Sequence, residues 1–156
     1  PFTELQEALR DNCPEELFTV LMRRLMVKIA NRICAANDYG AIITGESVAQ
    51  VASQTLPAIF CTNAAAEYPV FRPVIGMDKR EIVDVARHID TFEVSTLPYE
   101  DCCTVFSPKH PKTRPSLEEI LAAEASFDFE PLIVKAVRET EVKQFKYGVR
   151  NVDLDM

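Results

Sequence analysis

Apolar residues recur at every fourth position between residues 15 and 37, which is the spacing of one buried face of an α-helix. Pro14 precedes this stretch, and Glu15 and Glu16 lie where the positive end of a helix dipole favours acidic side chains. Tyr39-Gly40 is a pair that commonly ends a helix. The pattern predicts a long helix over about residues 15–37. Its buried stripe consists of Leu17, Leu21, Leu25, Ile29 and Ile33.

The same helix carries a basic stripe opposite its apolar face, formed by Arg24, Lys28 and Arg32. A run of like charges is most often a solvated surface, and we expect these three side chains to lie in water. Arg23 projects about 100° around the helix from Arg24. It is therefore nearer the boundary between the two faces and is placed to reach a particular partner.

Two short runs of β-branched and aromatic residues, 41–43 and 69–71, predict strands. Residues 92–94 predict a third strand. Strands that are joined through helices pair in parallel, so we expect an α/β fold with a short sheet of two or three strands and flanking helices. Parallel sheets need both faces covered, and so small a sheet is expected to be half of a domain.

Pairs with capping-box spacing predict the starts of three further helices. Thr3 with Gln6 opens a helix over about residues 4–10, and Asp78 with Glu81 opens one whose apolar side includes Ile82. Ser116 with Glu119 caps a helix that runs to about Ser126, and Pro131 begins another that ends near Thr140.

Composition narrows the class of protein. Apolar residues make up 47% and charged residues 26%, as in an ordinary globular domain. The net charge of −7, from 17 basic and 24 acidic residues, argues against nucleic-acid binding by overall charge and leaves only a local basic patch for it. The five cysteines show no metal-binding spacing and are odd in number, which favours reduced thiols in a cytoplasmic protein. No apolar run approaches the roughly 20 residues that span a bilayer, so no membrane contact is expected.

The most informative stretch is Thr44–Thr55, which follows the first predicted strand. Gly45 permits a tight turn, and Ser47 with Gln50 has capping-box spacing, so a helix is expected to begin at Ser47. A strand, a glycine turn and a helix start together place unpaired N–H groups at the carboxyl edge of a sheet, where nucleotides and other anions bind. Such turns also occur in α/β proteins as ordinary junctions, and the pattern alone leaves both interpretations open.

A second unusual segment, 98–115, contains four prolines, which exclude regular secondary structure over most of its length. It carries the adjacent pair Cys102-Cys103, followed by the basic residues Lys109, His110, Lys112 and Arg114. A thiol on an exposed loop near cations is a reasonable nucleophile or sulfur carrier. The alternative is that both cysteines are small apolar loop residues.

The string Gly-Glu-Ser-x-x-Gln-Val-Ala-Ser-Gln-Thr at 45–55 resembles the pyrophosphatase-loop (PP-loop) domain of the tRNA 4-thiouridine synthetases, sulfurtransferases that also serve thiamine thiazole synthesis in many bacteria. The segment Tyr-Glu-Asp-Cys-Cys-Thr-Val-Phe at 99–106, with 108–115, is similar to the cysteine loop of the same family. Residues 72–82 match as well. The resemblance implies an incomplete Rossmann-like adenine nucleotide α-hydrolase fold, with residues 1–141 as the second half of the PP-loop domain and 142–156 as a C-terminal tail.

The resemblance also implies roles for individual residues. Arg23, Gly45 and Gln54 fall at positions that bind ATP in the family, and Lys79 at the lysine that stabilises phosphate charge. Either Cys102 or Cys103 corresponds to the cysteine of sulfur transfer, and the following Thr104-Val105 favours Cys103.

The implied reaction is adenylation of a tRNA uridine with ATP and Mg²⁺, after which a persulfide sulfur from a cysteine desulfurase displaces AMP. A homodimer in the cytoplasm is also expected, as is a role in thiamine thiazole synthesis. The Ser-Gly-Gly-x-Asp-Ser phosphate loop of the family does not occur in the sequence, so we expect these 156 residues alone to have no turnover.

Two other functions fit the residues. The chain is a non-catalytic dimerisation and tRNA-binding module if the patch of Lys109, Lys112 and Arg114 is its main feature. It is a free-standing thiol enzyme if Cys103 works with His88 or His110.

Overall fold

A computed structural model describes residues 1–48, 50–98 and 108–144. In these ranges the chain forms seven α-helices and two short strands, an α/β arrangement as predicted. The helices are α1 (Thr3–Asn12), α2 (Phe18–Asn37), α3 (Leu56–Asn63), α4 (Lys79–His88), α5 (Phe92–Ser95), α6 (Leu117–Glu124) and α7 (Glu130–Arg138). The strands are β1 (Ile42–Ile43) and β2 (Val70–Phe71).

Helix α2 is the centre of the fold, as its apolar stripe predicts. Leu21 and Leu25 are fully buried and pack with residues of α1, α3, α6 and α7 in the main hydrophobic cluster. A 3₁₀ turn, Glu15–Leu17, precedes the helix. The helix ends at Asp38, which takes the left-handed conformation with φ 56°, so the chain reverses two residues before Gly40. Asn and Asp tolerate this conformation better than most residues do.

The predicted solvated face of α2 is wrong for Arg24, whose side chain is 3% exposed. Its Nε donates to Glu124 Oε2 at 2.6 Å and its Nη1 to the carbonyl oxygen of Cys61 at 2.5 Å. Lys28 also contacts Glu124, and the side chain of Arg32 is exposed and paired with Glu130. Helix α6 packs over this side of α2 and supplies the carboxylate, which a helical-wheel argument on α2 alone does not reveal.

The two strands pair in parallel, with Ile42 opposite Val70 and Ile43 opposite Phe71. Helix α3 lies in the connection between them, and this confirms the short parallel sheet. Ile43 is 71% exposed and Phe71 59% exposed, so one face of the sheet is open in this chain. The carboxyl ends of both strands lie at the same edge, and Thr44 and Arg72 follow there directly.

The third predicted strand is wrong, because residues 92–95 form helix α5. The N–H groups of Ser95 and Thr96 bond back to the carbonyl oxygens of Thr91 and Phe92 at 3.0 and 3.1 Å. The guanidinium of Arg87 lies 4.7 Å from the centre of the Phe92 ring and fastens α5 to α4. These local contacts satisfy backbone hydrogen-bonding groups of the segment without pairing to a strand.

Two of the four predicted capping boxes are confirmed. Asp78 with Glu81 caps α4, and Ser116 with Glu119 caps α6. The box at the start of α1 is wrong, because Phe2 is the cap residue and no side chain caps the helix. Gln6 is instead buried and its amide contacts the sulfur of Met22 at 3.8 Å. Across the described ranges, no helix combines the length and apolarity that crossing a membrane requires.

Candidate nucleotide site

The segment after β1 forms a loop rather than the helix predicted from Ser47. The Ser47 hydroxyl donates to the carbonyl oxygen of Met77 at 2.6 Å, and its backbone N–H donates to Gln54 Oε1 at 2.8 Å. Val51 is extended, a 3₁₀ turn spans Ala52–Gln54, and helix α3 begins only at Leu56. The Ser47 hydroxyl therefore donates to the segment before α4. It does not act as a helix cap, in which its oxygen would accept from a backbone N–H of the helix.

The backbone conformation at position 45 does not require a glycine. Its φ lies outside the left-handed region, and a Cβ built on it would meet no atom within 4 Å. The reason given for this glycine from the sequence is therefore wrong. Its Cα faces open space at the carboxyl edge of the sheet.

The adjacent residue, Glu46, is the centre of the site, and the sequence argument did not assign it. Its side chain is 3% exposed and lies between two arginines. Oε1 accepts from Arg23 Nη2 at 2.5 Å, and Oε2 accepts from Arg72 Nε at 2.6 Å and from the Thr44 hydroxyl at 2.9 Å. Burial alone would raise the pKa of Glu46, but the hydrogen bond from Arg72, the charge of Arg23 and the Thr44 hydroxyl together lower it. The carboxylate is therefore ionised at neutral pH.

Arg23 keeps polar groups that the protein does not satisfy. Its Nε is buried and has no hydrogen-bond partner among the described residues, and Glu46 is the acceptor for Nη2. An unsatisfied buried N–H is unfavourable, since its desolvation is not compensated. The Nε atom itself is inaccessible, so a ligand would contact Arg23 through the accessible part of its side chain, which is 21% exposed.

These residues line a groove of about 440 Å³ between α2 and the sheet. The other walls are mostly apolar. The lining residues that matter below are Met26, Val27, Ile42, Ile43 and Val70. A concave surface with apolar walls and a cationic end suits a ligand with a flat ring and a negatively charged group.

Lys79 is the first residue of α4, and it is exposed. It lines a second groove, of about 520 Å³, with Gln50, Val51 and Met77. No ion pair in the described ranges involves its ammonium group. The loop after β1 contributes Glu46 to the Arg23 groove and Val48, Gln50 and Val51 to the Lys79 groove. Its Ser47 hydroxyl donates to the carbonyl oxygen of Met77, just before α4.

Cys102 and Cys103 lie outside the described residues, so the structure does not place them. The described cysteines, Cys13, Cys34 and Cys61, are free thiols, as expected. Burial raises the pKa of Cys13 and of Cys61, which leaves both as unreactive thiols near neutral pH.

The described end of the cysteine loop, residues 108–115, is anchored beside the start of α3. The Thr55 hydroxyl, which caps α3, donates to the carbonyl oxygen of Thr113 at 2.6 Å. The Cys61 thiol contacts the carbonyl oxygen of Pro115 at 3.7 Å. The loop therefore returns to the fold directly beside the end of the Thr44–Thr55 motif.

The three predicted RNA-binding cations differ in their surroundings. Lys112 Nζ lies 2.5 Å from Glu119 and 3.8 Å from Glu16. The hydrogen bond from Lys112, together with those from Ser116, lowers the pKa of Glu119 to about 2. Lys109 and Arg114 are exposed, and within the described part of the chain neither side chain has an ion pair.

No group of three or more His, Cys, Asp or Glu side chains in the described ranges could hold a metal ion. The missed residues, Glu46 and Arg72, both lie in segments that the sequence had singled out. An acidic residue in a loop that is expected to bind an anion was the available signal, because such a residue needs a cationic partner.

Several known proteins are similar to this chain in sequence. The chain is 55% identical over 142 residues to a protein of Acetivibrio thermocellus named probable tRNA sulfurtransferase, covering 91% of this chain and 36% of that protein. A protein of the same name from Caldanaerobacter subterraneus subsp. tengcongensis is 54% identical over 132 residues, with coverage of 85% and 35%. The chain thus spans little more than a third of the length of these relatives.

A solved structure, the crystal structure of a 4-thiouridine synthetase–RNA complex with bound ATP, shares the fold of this chain. The TM-score is 0.82 at 35% sequence identity, over 88% of this chain and 36% of that one. The sequence model of the thiamine biosynthesis protein (ThiI) family matches residues 1–129. This chain belongs to the ThiI family.

Proposed function

We propose that this chain forms the second half of the PP-loop domain of a tRNA sulfurtransferase, with residues 1–141 in the domain and 142–156 as its tail. The observation that carries the proposal is the cluster of Arg23, Glu46 and Arg72 at the carboxyl edge of the parallel sheet. In open α/β sheets this edge is where nucleotides bind. The relatives are named for tRNA sulfur transfer, and the solved relative is a complex with RNA and ATP.

The proposed reaction has two stages. The O4 atom of a tRNA uridine attacks the α-phosphorus of ATP and releases pyrophosphate. The terminal sulfur of a protein persulfide then attacks C4, and AMP leaves with the former O4 atom. Reduction of the remaining sulfur–sulfur bond by a second thiol supplies the electron pair, so that the products are 4-thiouridine and a disulfide.

The residues around the first groove fit ATP. Arg23 lines the groove with a side chain that is 21% exposed and can donate to a phosphate oxygen, and Gly45 leaves open space for close approach of the nucleotide. Gln54 uses Oε1 to hold the Ser47 N–H, which leaves its amide nitrogen as a donor to the nucleotide. Mg²⁺ would arrive on the phosphates of ATP and add positive charge there.

The second groove supplies the remaining chemistry in this proposal. Lys79, whose ammonium has no ion-pair partner in the described ranges, stabilises the charge that develops on the transferring phosphate. Cys103, or its neighbour Cys102, takes part in sulfur transfer. The anchoring of Thr113 by Thr55 brings the return of the cysteine loop to this side of the molecule.

The proposed partners and location are those that the resemblance to the 4-thiouridine synthetases implies. A cysteine desulfurase is the persulfide donor, tRNA is the acceptor, and the protein is a homodimer in the cytoplasm, where thiols remain reduced. We also include a role in sulfur supply for the thiazole of thiamine, on the strength of the family description.

The test is formation of 4-thiouridine in a tRNA transcript by the full-length gene product that contains these residues. The assay contains ATP, Mg²⁺, cysteine and a cysteine desulfurase, and the product is measured by retardation on a mercury-containing gel. We expect strict dependence on ATP. Lys79→Met should lower the rate by about 10²–10³-fold, as expected for loss of a charge-stabilising group.

Lys143→Met is the matched control, because Lys143 is exposed and distant in sequence from both grooves, and its rate should equal that of the wild type. ATP-independent product, or no product from a folded protein, would contradict the proposed function. The 156 residues alone are expected to give no turnover, and thiolation by them would show that no further phosphate-binding loop is needed.

A second candidate function, a non-catalytic tRNA-binding module, is favoured by the exposed Lys109 and Arg114. If this patch binds phosphates, Lys109→Gln and Arg114→Gln should each weaken tRNA binding and lower the salt slope by about one. Lys112→Gln should have a smaller effect, since its ammonium is already paired with Glu119. An unchanged salt slope in all three variants would remove the patch as a binding surface.

A further inference from the structure

Glu46 has three hydrogen-bond donors around one buried carboxylate. Two of them are guanidinium groups from different elements, Arg23 on α2 and Arg72 after β2, and the third is the Thr44 hydroxyl. Burial of a carboxylate is unfavourable unless its charge is paired and its oxygens are hydrogen-bonded. Both conditions are met here.

The two arginines are held to different degrees. Arg72 donates from Nε to Glu46, from Nη2 to Asn63 Oδ1 at 3.1 Å, and from Nη1 to the Val70 carbonyl oxygen at 3.5 Å. Arg23 has Glu46 as its hydrogen-bond acceptor, and its Nε has none. Glu46 therefore connects two unequal partners. Arg72 is held by the sheet and by α3, and Arg23 is held by Glu46.

The charges in the cluster leave a net positive charge at the groove. Two guanidinium groups and one carboxylate sum to +1, and both arginines line the 440 Å³ groove. Without the carboxylate the two cations would repel each other, and Arg23 would lose the contact that fixes its direction. An anion that approaches the cluster meets Arg23 in the orientation that Glu46 sets.

We propose that Glu46 is a positioning residue, which holds the Arg23 guanidinium at the carboxyl edge of the sheet so that its accessible part faces the phosphates of the nucleotide. This inference rests on the proposed function, because it takes ATP as the ligand of Arg23. Arg72 is the fixed support on the far side of Glu46. Glu46 itself does not touch the nucleotide.

The test measures the dissociation constant of ATP with Mg²⁺, by isothermal titration calorimetry, on the full-length gene product that contains these residues. Glu46→Gln keeps the size of the side chain and removes its charge, and we expect ATP to bind about 10-fold more weakly, the change that corresponds to about 1.4 kcal/mol. The control is Glu118→Gln, an exposed residue of α6, which should bind ATP as the wild type does. Equal affinity for Glu46→Gln and the wild type would overturn the inference.

A double-mutant cycle separates positioning from a general structural effect. If Glu46 acts through Arg23, the variant with both Arg23→Gln and Glu46→Gln should bind ATP as weakly as Arg23→Gln alone. If the two losses multiply, Glu46 acts independently of Arg23 and the inference is wrong. If the wild type itself does not bind ATP, the proposed function fails and the inference fails with it. If the wild type binds ATP but Glu46→Gln binds it equally well, the inference alone fails.

Thr44→Val is the second variant, and it keeps the proposal testable if Glu46→Gln does not fold. It removes one hydrogen bond to Oε2 and leaves all three charges in place. We expect about 2- to 5-fold weaker ATP binding, given the modest net value of a single hydrogen bond. This loss should disappear in the background of Arg23→Gln, and its persistence there would overturn the inference.

Discussion

Two neighbouring arginines of helix α2 have opposite roles in this molecule. The polar groups of Arg24 are directed into the helical core, where Nε is bonded to Glu124 and Nη1 to the Cys61 carbonyl oxygen. Arg23 faces the loop after β1, where it donates to Glu46 and keeps a buried Nε with no partner among the described residues. Arg24 is a structural cation whose hydrogen bonds are made within the protein, whereas Arg23 is available to bind a ligand.

The difference lies in what packs against each side of the helix. Helix α6 covers Arg24 and brings a carboxylate into a site where the arginine is 3% exposed. The side of Arg23 faces the loop after β1 and a groove that remains open, and its side chain is 21% exposed. Similar residues that are adjacent in sequence thus serve stability and binding because the fold supplies complete partners to one and incomplete partners to the other.

The strongest test of this contrast is Arg24→Met, for which we expect the largest loss of stability. Removal of one partner from a buried ion pair typically lowers the free energy of unfolding by about 3–5 kcal/mol, because the other charge stays buried. Because Lys28 still pairs with Glu124 in this variant, we expect a loss near the lower end of that range. Urea denaturation followed by circular dichroism measures it.

Arg32→Met is the control on the same helix. Arg32 and Glu130 are 55% and 51% exposed, so this pair should contribute less than about 1 kcal/mol. A loss for Arg24→Met no larger than that for Arg32→Met would show that the buried pair is not what holds α6 against α2.

How far the sequence predicts this structure depends on whether the information is local. The apolar stripe of α2, the capping boxes of α4 and α6 and the two short strand-forming runs are local patterns, and the structure has all of them. The burial of Arg24 depends on Glu124, which lies 100 residues further along the chain. The pattern of residues within α2 therefore cannot predict that Arg24 is buried.

The candidate site shows the same limit. Family resemblance pointed to Arg23, Gly45, Gln54 and Lys79, and these assignments stay predictions. Glu46 was quoted within the motif but given no role, since its importance arises from Arg72, which comes from the other strand. The helix predicted from Ser47 failed because the Ser47 hydroxyl is bonded to Met77, a contact between distant segments.

The next test addresses the binding side of the contrast. Arg23→Met should weaken ATP binding by about 10- to 100-fold, the value expected for loss of a hydrogen bond to a charged group. Its effect on the free energy of unfolding should be smaller than that of Arg24→Met, because the Nε of Arg23 is unsatisfied in the protein alone. Calorimetric titration and urea denaturation of the same samples provide both numbers.

The reverse result would refute the contrast. If Arg23→Met unfolds the protein as readily as Arg24→Met does while ATP affinity is unchanged in the folded fraction, then Arg23 is structural too.

The smallest expected effect is a change in pH dependence, and it compares the two carboxylates that face these arginines. Burial would raise the pKa of Glu124, but the hydrogen bonds and charges of Arg24 and Lys28 lower it below 4.5, and the pKa of Glu46 is likewise lowered below 4.5. A carboxylate with a lowered pKa in the folded state stabilises the protein fully above the pKa of the unfolded state, and this stabilisation is lost as the pH falls through the folded value. Glu124→Gln and Glu46→Gln should therefore both make the loss of stability below about pH 4.5 shallower than in the wild type, as measured by urea denaturation from pH 7 to pH 3. At pH 7 only Glu46→Gln should also weaken ATP binding, and an equal loss of ATP affinity in Glu124→Gln would mean that the structural and binding arginines act as one network.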